Sequence, residues 1–327
     1  FWGDCGYSPA FKREWQIYYK EPWIDPMSSP DAQFRASKLK SYLYKRALDR
    51  LCCELKEYAL AVHGRSVRFY VPTHSLVNYT QWKIVSPESS LIDIPTVDGY
   101  IAQIWTGTSR TENVYEGELK ERTFETAFLE YGVMQELTRG TGRRMWFLHD
   151  PIEDNPGYTW ADYRRDYYRT VSASLFHYHI HHYEVSPWPD RVMNGKYPRG
   201  ENGQPIPAEY ATNLLTVMHT LRNMKQEDCH FDRDNQEVGV LLADSGMFQR
   251  MYPKDTPEAQ NPDPLVHPDH WTPFFGLALP LLKQGLAVRP VQLDNIRRFA
   301  NYLDDYRVLV LSYEFMKPEY PDIHNAI

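Results

Sequence analysis

An α/β fold with parallel sheets is what this sequence predicts, on three observations. Segments of strand character alternate with segments of helical period along the chain, an order that pairs strands in parallel through helical crossovers. Val308-Leu309-Val310-Leu311 is an unbroken Val-rich apolar run of the kind buried parallel strands need. The 327 residues, 42% of them apolar, suffice for two domains at roughly 100–200 residues each.

The elements follow in order. Leu39, Leu43, Ala47, Leu51, Leu55 and Ala59 recur at helical spacing and Gly64 follows, which predicts a helix from Leu39 to Val62. Ser66 to Pro72 reads as a strand that Pro72 stops, and Gly99 to Trp105 as the next strand. A helix from about Thr123 to Leu137 leads to a strand at Arg144 to Asp150. Thr159 and Asp162 have the spacing of a capping box and open a helix that runs to about Phe176, ahead of a strand from about His181 to Ser186. The Gly- and Pro-rich stretch Gly195 to Pro207 predicts a long loop before a helix at about Ala208 to Met224. Strands at Glu237 to Ala243, Val288 to Leu293 and Arg307 to Ser312, with a Pro280-interrupted helix from Thr272 to Gly285, form a second unit that starts near residue 233.

Composition narrows the function. A net charge of -7 leaves no basic field for a nucleic-acid backbone, so no nucleic-acid partner is expected and a polar, uncharged small substrate fits better. Cys5, Cys52, Cys53 and Cys229 have no metal-ligand spacing, and Cys52 and Cys53 read as small buried hydrophobes of a helix. No run of about 18 apolar residues predicts a membrane span. The opening Phe1-Trp2-Gly3-Asp4 is neither an initiator Met nor a signal peptide, so the chain is expected to be cut from a longer one.

In parallel α/β architectures the chemistry sits at the C-terminal ends of the strands. The strand ending Leu148 runs into His149-Asp150-Pro151-Ile152-Glu153-Asp154-Asn155, and the one through Tyr183 into Glu184-Val185-Ser186-Pro187-Trp188. Asp150, Glu153, Asp154 and Glu184 are candidates for the two carboxyl groups that glycosidic hydrolysis requires. Helix capping and loop solvation are the structural alternatives for these acids. Trp188 between two prolines and Trp105 at a strand end are candidate platforms for a sugar ring. The run His177-Tyr178-His179-Ile180-His181-His182 contains metal-ligating side chains, but neighbours at a helix-to-strand junction diverge, so no metal and no cofactor are expected.

Phe1-Trp2-Gly3 with Trp15, and the span from Phe274-Phe275-Gly276-Leu277-Ala278 to Tyr306-Arg307-Val308-Leu309-Val310-Leu311, resemble the bacterial β-galactosidases of glycoside hydrolase family 42. The resemblance implies that residues 1–233 are the C-terminal half of a (β/α)8 TIM barrel, strands five to eight, and that 234–327 begin a Rossmann-like domain similar to glutamine amidotransferases. It implies a carbohydrate substrate, a trimer and a cytoplasmic location. The family's acid/base Glu would lie upstream of residue 1, and its nucleophile position falls on His149 or Asp150, neither of which is Glu. Asp150 as a shorter nucleophile, a displaced Glu153, or a decayed barrel that is a noncatalytic carbohydrate-binding or scaffolding protein are the readings this leaves, with His149, Tyr183, Glu184, Trp188 and Trp105 shaping the sugar site. A metal-dependent hydrolase using His149, Asp150 and the His-rich strand is a third class.

Overall fold

A computed structural model of the chain describes residues 6–73, 88–110, 112–152, 157–177, 180, 182–224, 238–245, 272–312 and 320–327. Two helices open it, α1 (Pro9–Tyr19) and α2 (Pro30–His63). Each starts on a serine cap followed by proline: Ser8 Oγ accepts from Phe11 N at 3.1 Å, and Ser29 Oγ from Ala32 N at 3.1 Å. Phe11 and Trp15 of α1 pack on Ala36 and Leu39 of α2.

The first sheet has the order β1 (Tyr70–Thr73), β2 (Gly99–Trp105), β5 (Arg144–Asp150), β6 (His182–Val185), every pair parallel. The strands therefore lie side by side in chain order. Between β2 and β5 the chain forms the hairpin β3 (Glu112–Tyr115) and β4 (Glu118–Glu121), then α3 (Thr123–Thr138). Glu116 and Gly117 hold positive φ, 52° and 77°, as a two-residue type I′ turn requires. Helix α4 (Trp160–Ser174) connects β5 to β6, with the Thr159 and Asp162 box formed in both directions. Strand alternation sends Tyr100, Ala102, Ile104, Met145 and Phe147 into the core beneath α3. The opposite face carries Ile101, Gln103, Trp105 and Trp146, all half-buried.

Helix α5 (Ala208–Asn223) precedes the second sheet, β8 (Val288–Gln292), β7 (Val238–Leu242), β9 (Val308–Val310), again all parallel, with the first strand in the middle. Helix α6 (Thr272–Lys283) supplies Phe274, Phe275, Ala278 and Leu279 to its core. Leu129 and Val133 of α3 enter the same core, while Ala127, Tyr131 and Met134 belong to the core of the first sheet. Helix α3 is thus shared by both sheets.

The α/β class with parallel sheets is as the sequence predicts, and differences are local. Helix α2 begins nine residues before Leu39, because its first turns bury Ala32, Gln33 and Ala36, side chains too small or polar to register as hydrophobic period. Pro72 lies inside β1 instead of ending it; β1 is an edge strand, where a missing N–H donor is tolerated. Helix α1 and the hairpin were not expected at all. The predicted loop Gly195 to Pro207 contains a small antiparallel bridge of Lys196–Tyr197 with Gln204–Pro205. Cys52 is buried, but Cys53 is half-exposed with Sγ 3.4 Å from Glu57 Oε1. The unit boundary near residue 233 lies outside the described residues.

Close approach of α3 to β8 rests on Gly132, where a Cβ would meet Pro290 Cδ at 2.9 Å and His177 Cε1 at 3.3 Å. Gly276 in α6 faces open space. Urea unfolding is expected to show Gly132→Leu less stable by about 1–3 kcal/mol from overpacking, and Gly276→Ala more stable by about 0.5–1 kcal/mol from helix propensity. Equal effects at the two glycines would contradict the shared-helix packing.

Candidate functional site

The C-terminal edge of the first sheet gathers most of the residues singled out above. After β2 the chain turns through a short helix, Thr106–Ser109, and Thr106 Oγ1 donates to the Asp150 carbonyl at 2.7 Å. Trp105 is Asp150's register partner. The Asp150 side chain is 2% exposed; Oδ1 accepts from Ile152 N at 3.2 Å and Oδ2 lies 3.4 Å from Arg191 Nη1. That guanidinium also donates to Tyr197 Oη at 3.3 Å and sits 5.8 Å from the centre of the Trp188 ring. At the end of β6, Ser186 takes φ 58° and its N–H donates to the His149 carbonyl at 3.2 Å. The bend directs Pro187-Trp188-Pro189 outward, leaving Trp188 43% exposed. An open cleft of about 560 Å³ follows, lined by Pro187, Trp188, Pro189, Asp190, Arg191 and Arg199.

Glu184 pairs in register with Leu148, on the same face as Asp150 two residues further along β5. It is half-buried, and burial raises its carboxyl above the usual range. His149 and Tyr183 are placed differently, on the face covered by helices. The His149 ring is fully buried, its Nε2 2.9 Å from Ser174 Oγ of α4 and its centre 5.4 Å from that of the Tyr183 ring, and burial depresses its pKa to about 3. A neutral imidazole in that position orders the helix layer. Glu153, Asp154 and Asn155 lie outside the described residues, as do His179 and His181.

The other histidines of that run diverge. His177 is buried under α3, Nε2 2.8 Å from Phe128 O, whereas His182 packs on Trp146 at 4.4 Å on the opposite face. Among the described residues no group of three His, Cys, Asp or Glu side chains is placed to hold a metal.

One carboxyl at this edge escaped the sequence reading. Glu130 in α3 is fully buried; Oε2 accepts from Ser109 Oγ at 2.7 Å, Oε1 has no partner among the described residues, and burial pushes its pKa up to about 8. It supports the turn after β2 as a protonated acid. The available signal was a lone acid inside the apolar run Leu129 to Met134. Close by, the buried Arg110 lies between Glu121 Oε2 at 3.1 Å and Asp166 Oδ2 at 3.4 Å, so a paired charge closes the same corner.

No protein family, characterised protein or solved structure matches this chain.

Glu130 and His149 tilt stability against pH in opposite senses. Glu130, raised from 4.5 to about 8, holds a proton the unfolded chain has released, so its contribution is complete below 4.5 and is lost as pH rises toward 8. His149, lowered from 6.5 to about 3, contributes fully above 6.5 and loses this as pH falls toward 3. Between pH 6.5 and 8 only the first operates. There the unfolding free energy of Glu130→Gln is expected to decline less steeply than wild type by about 1.4 kcal/mol per pH unit; parallel curves would disprove a protonated Glu130. Below pH 4.5 the Glu130 contribution is flat, and His149→Gln is expected to remove a slope of similar size and opposite sign.

Proposed function

We propose that the protein acts on carbohydrate as a glycoside hydrolase, with Asp150 as nucleophile and the four-stranded sheet as part of a (β/α) barrel wall. The observation that carries this is the placement of Asp150 and Glu184 on one face of neighbouring parallel strands, at their C-terminal ends. Strand geometry separates the two Cα atoms by about 8 Å, which suits carboxyl groups required to lie about 5–9.5 Å apart across a glycosidic bond. Their environments differ as the chemistry needs: burial favours the protonated form of Glu184, while a guanidinium lies beside Asp150. Trp188, whose ring centre is 5.8 Å from the Arg191 guanidinium that lies beside Asp150, offers an exposed ring for stacking on a sugar.

The barrel reading is supported by strands in chain order with helices α3 and α4 on one face and half-buried Ile101, Gln103, Trp105 and Trp146 on the other. All-parallel sheets keep both faces covered, and in a barrel the second face is the packed interior. The order second-first-third of β8, β7 and β9 is that of flavodoxin-like sheets, in keeping with the amidotransferase-like resemblance of 234–327.

A carbohydrate-binding protein without catalysis is the second reading, favoured by the near-complete burial of Asp150. Hydrolysis of chromogenic β-glycosides separates the two. In a hydrolase, Asp150→Asn lowers kcat/KM by about 10³-fold or more, and Glu184→Gln by about 10²–10⁴-fold with loss of the alkaline limb of the pH profile. Absence of turnover on every glycoside, with binding to an immobilised sugar that Trp188→Ala abolishes, would establish the binding protein instead.

A further inference from the structure

A second cleft, of about 400 Å³, lies at the C-terminal edge of the other sheet and is walled by α2, the 3-10 helix Glu88–Asp93 and the segment 293–298. Its floor is Asp244 and Ser245, which follow β7, and Asp294, which follows β8. Outside the carboxyl ends of parallel strands is where open α/β sheets bind ligands, and the volume suits a small molecule.

The acids of this cleft are consumed internally. Asp244 accepts from Ser89 N at 2.6 Å and Ser89 Oγ at 2.7 Å; Asp294 accepts from Ser245 N at 3.1 Å and Ser245 Oγ at 2.8 Å. Asp244 also hydrogen-bonds Asp294, and burial together with that neighbouring charge raises its pKa well above the usual carboxylate range. Asp93 is spanned by Lys45 Nζ at 2.8 Å and Arg298 Nε at 3.0 Å.

Cations outnumber them: Lys38 and Lys45 from α2, Arg297 and Arg298 from the opposite wall. Lys45 meets Asp93 through an ammonium with three donors, and Arg297 meets Asp322 through Nε at 3.3 Å, one of five guanidinium N–H groups. Tyr42 and Tyr320, both about 40% exposed, stand on the two walls. Arg297 and Lys38 lie 3.9 Å and 5.8 Å from the centre of the Tyr320 ring. In a chain that carries -7 overall, four cations thus line this one cleft.

We propose that this cleft binds a small phosphomonoester, a sugar phosphate or a nucleoside monophosphate, with the phosphoryl group held by Lys38, Lys45 and Arg297 and the ring laid against Tyr42 and Tyr320. A phosphoryl group presents three acceptor oxygens and close to two negative charges, matching cations that converge from two walls. The site is separate from the strand ends that carry Asp150 and does not depend on glycosidase activity.

Isothermal titration calorimetry of the whole chain with galactose 6-phosphate, AMP, inorganic phosphate and unphosphorylated galactose tests it. Both organic phosphates or either one should bind, with inorganic phosphate competing; the tighter of the two identifies the ring. Lys38→Ala and Arg297→Ala should each weaken binding by about tenfold or more, and Lys120→Ala, on the exposed hairpin, should not. A rise in wild-type Tm with the phosphomonoester, absent with galactose, checks the same point without any variant. No binding at millimolar phosphomonoester, equal binding of galactose, or affinity untouched by both substitutions would overturn the proposal.

Discussion

Helix α3 has no face given to solvent along most of its length, and the arrangement of both sheets follows from keeping it dry. Tyr131 and Met134 fill the core of one sheet, Leu129 and Val133 the core of the other. A helix apolar on all sides is stable only when enclosed. Its last turn then presents Glu136, buried, to Arg139 Nε at 2.7 Å and Arg289 Nη2 at 2.8 Å, with the Tyr302 and Tyr306 hydroxyls at 3.5 Å and 3.4 Å. Arg289 belongs to β8, so the second sheet is tied to the helix by charge as well as by apolar contact. Removing one partner of such a pair typically costs about 3–5 kcal/mol.

The same enclosure sets the chemistry at the strand ends. Desolvation acts on Glu130 and Glu184 in one direction and on His149 in the other, always against the charged form. In the helix layer, Glu130 and His149 are hydrogen-bonding groups whose neutral forms burial favours. On the opposite face Asp150 has the Arg191 guanidinium beside it, which with Trp188 lines a cleft open to solvent.

Legibility of the fold followed the strength of local period. Strands β2 and β5 occupy the residues the alternation indicated, and α4 has its Thr159 and Asp162 cap because both halves of that signal are local. Helix α1 was hidden by its brevity and its mix of aromatic and charged residues, and the hairpin by strands such as Glu118–Glu121 with little apolar content. Asp150 stood out because strand ends are local features too. Asp244 and Asp294 did not, since they are brought together by the pairing of Leu242 with Gln292 across strands distant in sequence. An acid within a helix, such as Glu130, reads as a solvated surface residue unless the packing of that helix on both sides is known.

The enclosure of α3 also decides what counts as a unit of this molecule. By sequence the helix belongs to the first sheet, yet Leu129, Val133 and Glu136 complete the interior of the second. The second sheet taken alone would keep only α6 over Val240, Leu242 and Val288 and would lose the part of that core that Leu129 and Val133 fill. Two stretches of chain that look separable on paper are one cooperative body in mechanical terms, and a cut in the connecting segment would leave the halves associated.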